Sequence, residues 1–179
     1  MLALRMCIIQ TRRLVLRNFS LTDQEAMEAL FGNPEVMFFG DGVQTSEWVG
    51  DWLEQRIHDA RQHPERGLWA VTTANTDEAI GYCGLTYYPN IDGQGETEIG
   101  YRLARPHWGK GYATEAARAV RDYAFHQLGL TRLIAMIDPA NAASIRVAEK
   151  LQLRYEKDVM LPGYTHPDRV YVVERHDGE

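Results

Sequence analysis

Along the chain, apolar residues recur now with a period of two and now with a period of three to four, and this alternation predicts strands and helices in turn. Leu14 and Leu16 alternate with Arg13 and Arg17, so residues 11–18 read as an opening strand whose two faces Val15 blurs. Thr22 with Glu25 three positions on is a capping-box signature. It predicts a short helix to about Phe31, ended by Gly32-Asn33-Pro34. Val49, Trp52, Leu53 and Ile57 share one side of a second helix over residues 46–62, before His63-Pro64. Residues 68–73 and 79–88 read as a hairpin around Asn75-Thr76-Asp77. Pro89-Asn90 and Asp92-Gly93-Gln94-Gly95 then separate that hairpin from a strand at 97–103. Ala113, Ala116, Ala117, Val120, Ala124 and Leu128 form a helical stripe of mostly small residues, with Glu115, Arg118, Arg121, Asp122 and Gln127 opposite. A strand at 132–137 stops at Asp138-Pro139, and Asn141 suits the cap of a last helix over 141–151. Strands near 153–160 and 169–174 close the chain, with Pro162, Gly163 and Pro167 between them. With no repeat, low-complexity tract or linker, residues 1–179 read as a single domain of mixed α/β layers.

Composition narrows the classes. At 45% hydrophobic and 25% charged residues, the chain reads as globular, with one sizeable core. No run approaches the roughly 20 apolar residues of a membrane span, and residues 1–10 are interrupted by Arg5 and lack a small-residue cleavage site, so a cytoplasmic setting is expected. Cys7 and Cys83 lie outside any C-x-x-C and are expected to be reduced. The six histidines form no metal-ligand spacing, so no metal is expected. A net charge of −6 argues against general nucleic-acid binding and would suit a cationic acceptor. Arg102, Arg105, Lys110, Arg146 and Lys150 nevertheless gather in two segments around the next feature.

That feature is Trp108-Gly109-Lys110-Gly111-Tyr112-Ala113-Thr114-Glu115-Ala116, which follows a strand and opens the alanine-rich helix. Glycines at 109 and 111 let the backbone take positive φ and approach a ligand, while the first amides of the helix point outward unpaired. Such a terminus receives phosphate. It is not a P-loop, because Gly111 stands where Ser or Thr must follow Gly-Lys and Ala104 where its first Gly should be. Nor is it a dinucleotide fingerprint, since Thr114 occupies a position needing a small residue.

The segment resembles the pyrophosphate loop of the GNAT N-acetyltransferase superfamily, Gly111 and Ala113 matching its last two positions. With Trp108 where that loop usually has Arg or Gln, the unit is similar to the RimJ/RimL-type branch, whose members acetylate N-terminal amines of ribosomal proteins. The likeness runs from Thr11-Arg12-Arg13-Leu14-Val15-Leu16-Arg17 to Asp168-Arg169-Val170-Tyr171. It implies an α/β (α+β mixed) GNAT fold: a mostly antiparallel, splayed sheet of about seven strands flanked by about four helices. It also implies acetyl-CoA as cosubstrate and an amine acceptor, a protein N-terminus or a small molecule, walled by the two early helices. A homodimer is compatible with it. The cofactor-binding residues it implies are Tyr101, Leu103, Trp108, Gly109, Lys110, Gly111, Tyr112, Ala113, Thr114 and Asn141.

For the chemistry, only a free amine attacks a thioester, and a positioned carboxylate can take its proton. Glu98 is the candidate base, on the opposite side of its strand from Ile99 and Tyr101. The alternatives are a solvated Glu98 paired with Arg102, or Glu96 as base. Gly100 could host a bulge that splays the strand, and a free amide near residues 99–101 could stabilise the oxyanion. Many relatives place a tyrosine acid where this chain has Ala148, so Ser144 is the candidate acid, unless it only helps cap its helix or the thiolate leaves unaided. Cys83 reads as a small packed hydrophobe. Phe38, Phe39, Trp48, Tyr87 and Tyr88 are candidates for the acceptor cleft or the core. The competing reading is a catalytically silent CoA-binding module, to which Ala148 and Gln152, where relatives usually carry glycine, lend weight.

Overall fold

The computed structural model describes residues 6–175. The element order is β1 (Cys7–Gln10), β2 (Leu14–Arg17), α1 (Gln24–Phe31), α2 (Ser46–Gln62), β3 (Leu68–Thr73), β4 (Ala79–Ile91), β5 (Gln94–Leu103), α3 (Tyr112–His126), β6 (Arg132–Ile137), α4 (Ala142–Lys150), β7 (Arg154–Val159) and β8 (Asp168–Glu174), with 3-10 turns at Leu21–Asp23 and Arg105–His107. One eight-stranded sheet runs in the order β1-β2-β3-β4-β5-β6-β8-β7. All its pairings are antiparallel except β5–β6. The mixed, splayed architecture expected from the sequence is present, with one strand more: β1 falls in a segment to which the pattern assigned no element. The reading of residues 1–5 as lacking an export signal lies outside the described residues.

The splay has a different cause from a bulge at Gly100. β5 runs in continuous register with β4 through the pair Gly84 and Gly100, and the register shift of this hairpin lies between Tyr88 and Ile91, beside Pro89, which lacks a ladder donor. The strands separate on the other edge. β5 and β6 pair only at Glu98 and Ile134 and then diverge, so the edge of β5 beyond Glu98 is left without a strand partner. Residues expected to be loop belong to the longest hairpin, which turns on Asp92 and Gly93, both with positive φ, 53° and 91°. That is the two-residue turn whose twist suits paired strands.

Three apolar clusters set the layers. Beneath α3 and α4 one sheet face buries Trp69, Cys83, Leu85, Ile99 and Leu133 against Ala116, Ala117, Val120, Ala148 and Leu151. The small residues of α3 let the helix lie close to the strands. On the other face α1 and α2 cover β3 and β4 through Met27, Leu30, Phe31, Val49, Leu53 and Ala70. A smaller cluster on that same face, Ile91, Ile134, Val159 and Val170, lies across β6 and the β7–β8 ribbon. Glu98, half-buried, lies where β5 and β6 diverge.

Two polar anchors hold this frame. Arg17, read as an outward strand residue, is 2% exposed and ion-pairs with Asp23 and Asp77, both at 2.8 Å, tying the entry of α1 to the β3–β4 turn. Removing one partner of such a buried pair costs about 3–5 kcal/mol. The cap at that entry is also displaced from the expected Thr22 and Glu25: the backbone N–H of Ser20 donates to Asp23 Oδ2 at 2.8 Å.

Candidate active site

On the α3 side, Gly109 and Gly111 adopt φ of 74° and 78°, the left-handed region that side chains avoid. Gly111 is the N-cap of α3. The amide of Glu115 begins the helical ladder by donating to Gly111, while the amides from Gly109 to Thr114 have no backbone acceptor among the described residues. A run of outward donors at a helix N-terminus fits a diphosphate. The loop is held rigidly. Trp108 Nε1 donates to the Leu103 carbonyl at 2.7 Å, and the Arg105 guanidinium lies 4.9 Å over the indole ring. Glu115, expected on the solvated side of α3, accepts from the Thr11 hydroxyl at 2.7 Å and from the Arg13 backbone and Nε at 3.0 and 2.6 Å. Arg13 in turn donates to the Lys110 carbonyl at 3.0 Å and covers the Tyr112 ring at 4.8 Å. A shallow groove beside the loop collects Arg12, Arg118 and Lys150 with Gly111 and Thr114.

At the open edge of β5, Tyr101 is packed toward the α3 cluster, and its hydroxyl donates to the Ser144 carbonyl at 3.1 Å. Asn141 caps α4, its Oδ1 accepting from the Ser144 amide at 3.1 Å. Thus Ser144 meets the Asn141 cap through its backbone amide and the Tyr101 hydroxyl through its carbonyl and its own side chain. Ala148 is buried against the sheet, so α4 offers no side-chain acid there. Leu103 is buried in the same cluster, contributing its carbonyl to Trp108.

On the opposite face, Glu98 stands where β5 and β6 part. Its Oε1 accepts from the Met136 amide at 3.1 Å, and the Tyr88 hydroxyl donates to its carboxylate. Burial outweighs these bonds, and with the nearby charge of Asp168 it pushes the Glu98 carboxyl up to about 7. Asp168 is 8% exposed, its Oδ1 is buried without a hydrogen-bond partner, and burial raises its pKa also, followed by repulsion from Asp138. Tyr82, Arg102 and Tyr164 complete the neighbourhood, all in electrostatic contact with one another or with Glu98.

Several expectations change here. Arg102 does not pair with Glu98, nor does it reach the phosphate loop: it points to the α1–α2 face, donating to Met37 Sδ at 2.9 Å. Arg105 pairs with Glu35 at 2.8 Å. Glu96, the alternative base, is 4% exposed and ion-paired with Arg132 at 3.0 Å. Cys83 is fully buried, with its thiol pushed up by burial. Of the candidate aromatics, Tyr88 reaches Glu98. Trp48 stacks on Trp52 and meets Phe31 edge-on, while Phe38 and Tyr87 are largely exposed. Tyr88 was legible only as one of several aromatics, and Asp168 only as part of a terminal motif.

Residues 13–154 match the acetyltransferase (GNAT) domain. The chain belongs to the GNAT acetyltransferase family. This acetyltransferase is 41% identical over 158 residues to YkkB of Bacillus subtilis strain 168, covering 83% of this chain and 86% of that protein. Its structure is similar to an acetyltransferase (GNAT family) from Bacillus anthracis, with a TM-score of 0.80, 28% identity, and coverage of 93% and 97%. It shares the fold of RimL, the ribosomal L7/L12 α-N-protein acetyltransferase solved in complex with coenzyme A, at a TM-score of 0.75 and 18% identity, with 94% and 98% covered. Acetyl-CoA is accordingly the cosubstrate. No helix among the described residues is long and apolar enough to cross a membrane.

Proposed function

We propose that this acetyltransferase moves the acetyl group of acetyl-CoA to a primary amine, a protein N-terminus or a small molecule, by direct attack in a ternary complex. The observation that carries the reading is Glu98: a half-buried carboxylate at the parting of β5 and β6, oriented by Tyr88 and Met136, with its pKa raised to about 7. A base poised near working pH combines availability with driving force. The amides from Gly109 to Thr114 hold the diphosphate, with Trp108, Lys110, Tyr112 and Ala113 shaping the loop. Tyr101, Leu103 and Asn141 line the route of the pantetheine arm along the free edge of β5.

The acceptor attacks as the free base, its ammonium proton already lost to solvent; as its nitrogen bonds to the thioester carbon and the carbonyl pair moves to oxygen, Glu98, directly or through one water, takes the proton that the newly cationic nitrogen sheds. Backbone amides on the free edge of β5 near residues 99–101 stabilise the oxyanion. The C–S bond then breaks and the electron pair leaves on sulfur. A thiol pKa of about 8.5 makes that thiolate a good leaving group, so the Ser144 hydroxyl assists protonation without being required. Glu98 returns its proton to solvent.

Calorimetric titration with acetyl-CoA followed by an amine screen for thiol release tests the reading. Micromolar binding and amine-dependent thiol release support it; absence of binding at millimolar ligand sinks it. The buried Ala148 favours one rival, a CoA-binding module without turnover, and a single confirmed acetylated amine refutes that rival.

A further inference from the structure

Arg102 stands apart from every other arginine that the fold shelters. Arg13, Arg17, Arg56, Arg121 and Arg132 each meet a carboxylate, and Arg175 meets the Phe125 carbonyl. The half-buried guanidinium of Arg102 has no oxygen partner among the described residues, only the thioether of Met37 at 2.9 Å. A thioether is a weak acceptor. The guanidinium lies against the segment after α1: a Cβ at Gly40 would come within 2.9 Å of Arg102 Nη2. Arg102 lies on the acceptor face, with Met37 and next to Tyr82 in the β4–β5 register, whereas the phosphate loop packs on the opposite side through Tyr112 and Ala113. It is therefore not a ligand of coenzyme phosphates.

We propose that Arg102 binds a carboxylate of the acceptor, so that the substrate is a small amino acid-like zwitterion whose amine faces Glu98. The inference rests on the acetyltransferase reading and selects within it the small molecule over the protein N-terminus, whose amine has no carboxylate beside it. Arg102 and Glu98 share one face of β5, four positions and about 13 Å apart at Cα, and their side chains can converge on one small molecule. A planar carboxylate matches the guanidinium fork. Tyr164 feels the charges of Asp41, Asp168, Arg102 and Glu98, so it lies within electrostatic range of both groups. With Asp41, Asp168 and Glu98 all within electrostatic range of Tyr164, as Arg102 is, a dianionic phosphate is disfavoured here, whereas a zwitterion adds no net charge.

The test compares matched acceptors with acetyl-CoA at pH 8: each L-amino acid against its primary amide, 4-aminobutyrate against butylamine, and a peptide with a free N-terminus and an amidated C-terminus. The proposal expects at least one acid to exceed its uncharged partner tenfold in kcat/KM, although the amino acid amide has more free amine. It also expects Arg102→Gln to collapse that ratio through KM and Arg102→Lys to retain part of it. Calorimetric titration of the same acids into the CoA-saturated protein reads the subsite without turnover. Acid binding that weakens tenfold in Arg102→Gln supports the subsite even if no amine is acetylated, an outcome that would sink only the catalytic reading. Turnover with acid and amide equal, preference for the peptide, a ratio that survives Arg102→Gln, or no binding of any acid overturns it.

Discussion

The two halves of the site are made in different ways. The proposed phosphate loop is backbone: consecutive amides between Gly109 and Thr114, two left-handed glycines and a helix start, all within one short segment. The proposed acceptor cleft is side chain: Glu98 from β5, Tyr88 from β4, Asp168 from β8 and Arg102 facing the segment after α1. A backbone site has little to tune, because its donors are the same in every sequence able to adopt the turn. A side-chain site gathers groups that would not be buried together for stability, and its cost appears as raised pKa values and an unpartnered carboxylate oxygen.

That contrast is broken hardest at Glu98. Glu98→Gln is expected to lower kcat/KM by about 10²–10⁴-fold and leave the acetyl-CoA Kd nearly unchanged, as measured by steady-state kinetics beside calorimetry. The same change should stabilise the fold. A carboxyl whose folded pKa of about 7 exceeds its ordinary 4.5 destabilises increasingly as pH rises between those values and fully above them. The gain should thus be absent at pH 4, grow through that window and level off near pH 8 at about 3 kcal/mol. Thermal melts across pH check this. Loss of both activity and stability would mean that Glu98 is structural.

Gly111→Val attacks the other half. A β-branched residue at φ of 78° strains the loop by roughly 1–2 kcal/mol or more, and the displaced amides should weaken acetyl-CoA binding about tenfold or more. The pKa of the Glu98 limb in the pH profile should stay where it was. If affinity survives, the loop amides are not the phosphate site.

A subtler change sharpens the cleft. Because the Asp168 charge helps raise the Glu98 pKa, Asp168→Asn should move the acid limb of kcat/KM to lower pH, by less than the shift that burial alone sustains. A limb that moves up, or stays fixed, would separate Asp168 from the base. The smallest effect lies outside both halves. Gln152 holds φ of 67° just after α4, so Gln152→Gly should add about 1 kcal/mol in denaturant melts with kinetics unaltered. It would show that the departure at this position carries strain rather than function.

The loop and α3 were legible because glycine spacing and helix starts are local. Asn141 as a cap was legible for the same reason, and so was the hairpin of β3 and β4. Arg17, Glu115 and Glu96 were misjudged, since a charged residue on a periodic pattern reads as solvated until its counter-ion arrives from another element. Gly100 suggested a bulge where the actual splay depends on how far β6 accompanies β5.

Alone, the sequence determined the four helices, most of the strands, the glycine turn that opens α3 and the family to which they belong, because each depends on neighbours a few positions apart. Only the tertiary structure decided that Glu98, Tyr88 and Asp168 lie together, that Glu96 is neutralised by Arg132, and that Arg102 has no carboxylate partner among the described residues. Burial and charge pairing are properties of distant segments brought together, and desolvation, which makes a carboxylate into a base near neutral pH, exists only once they have met.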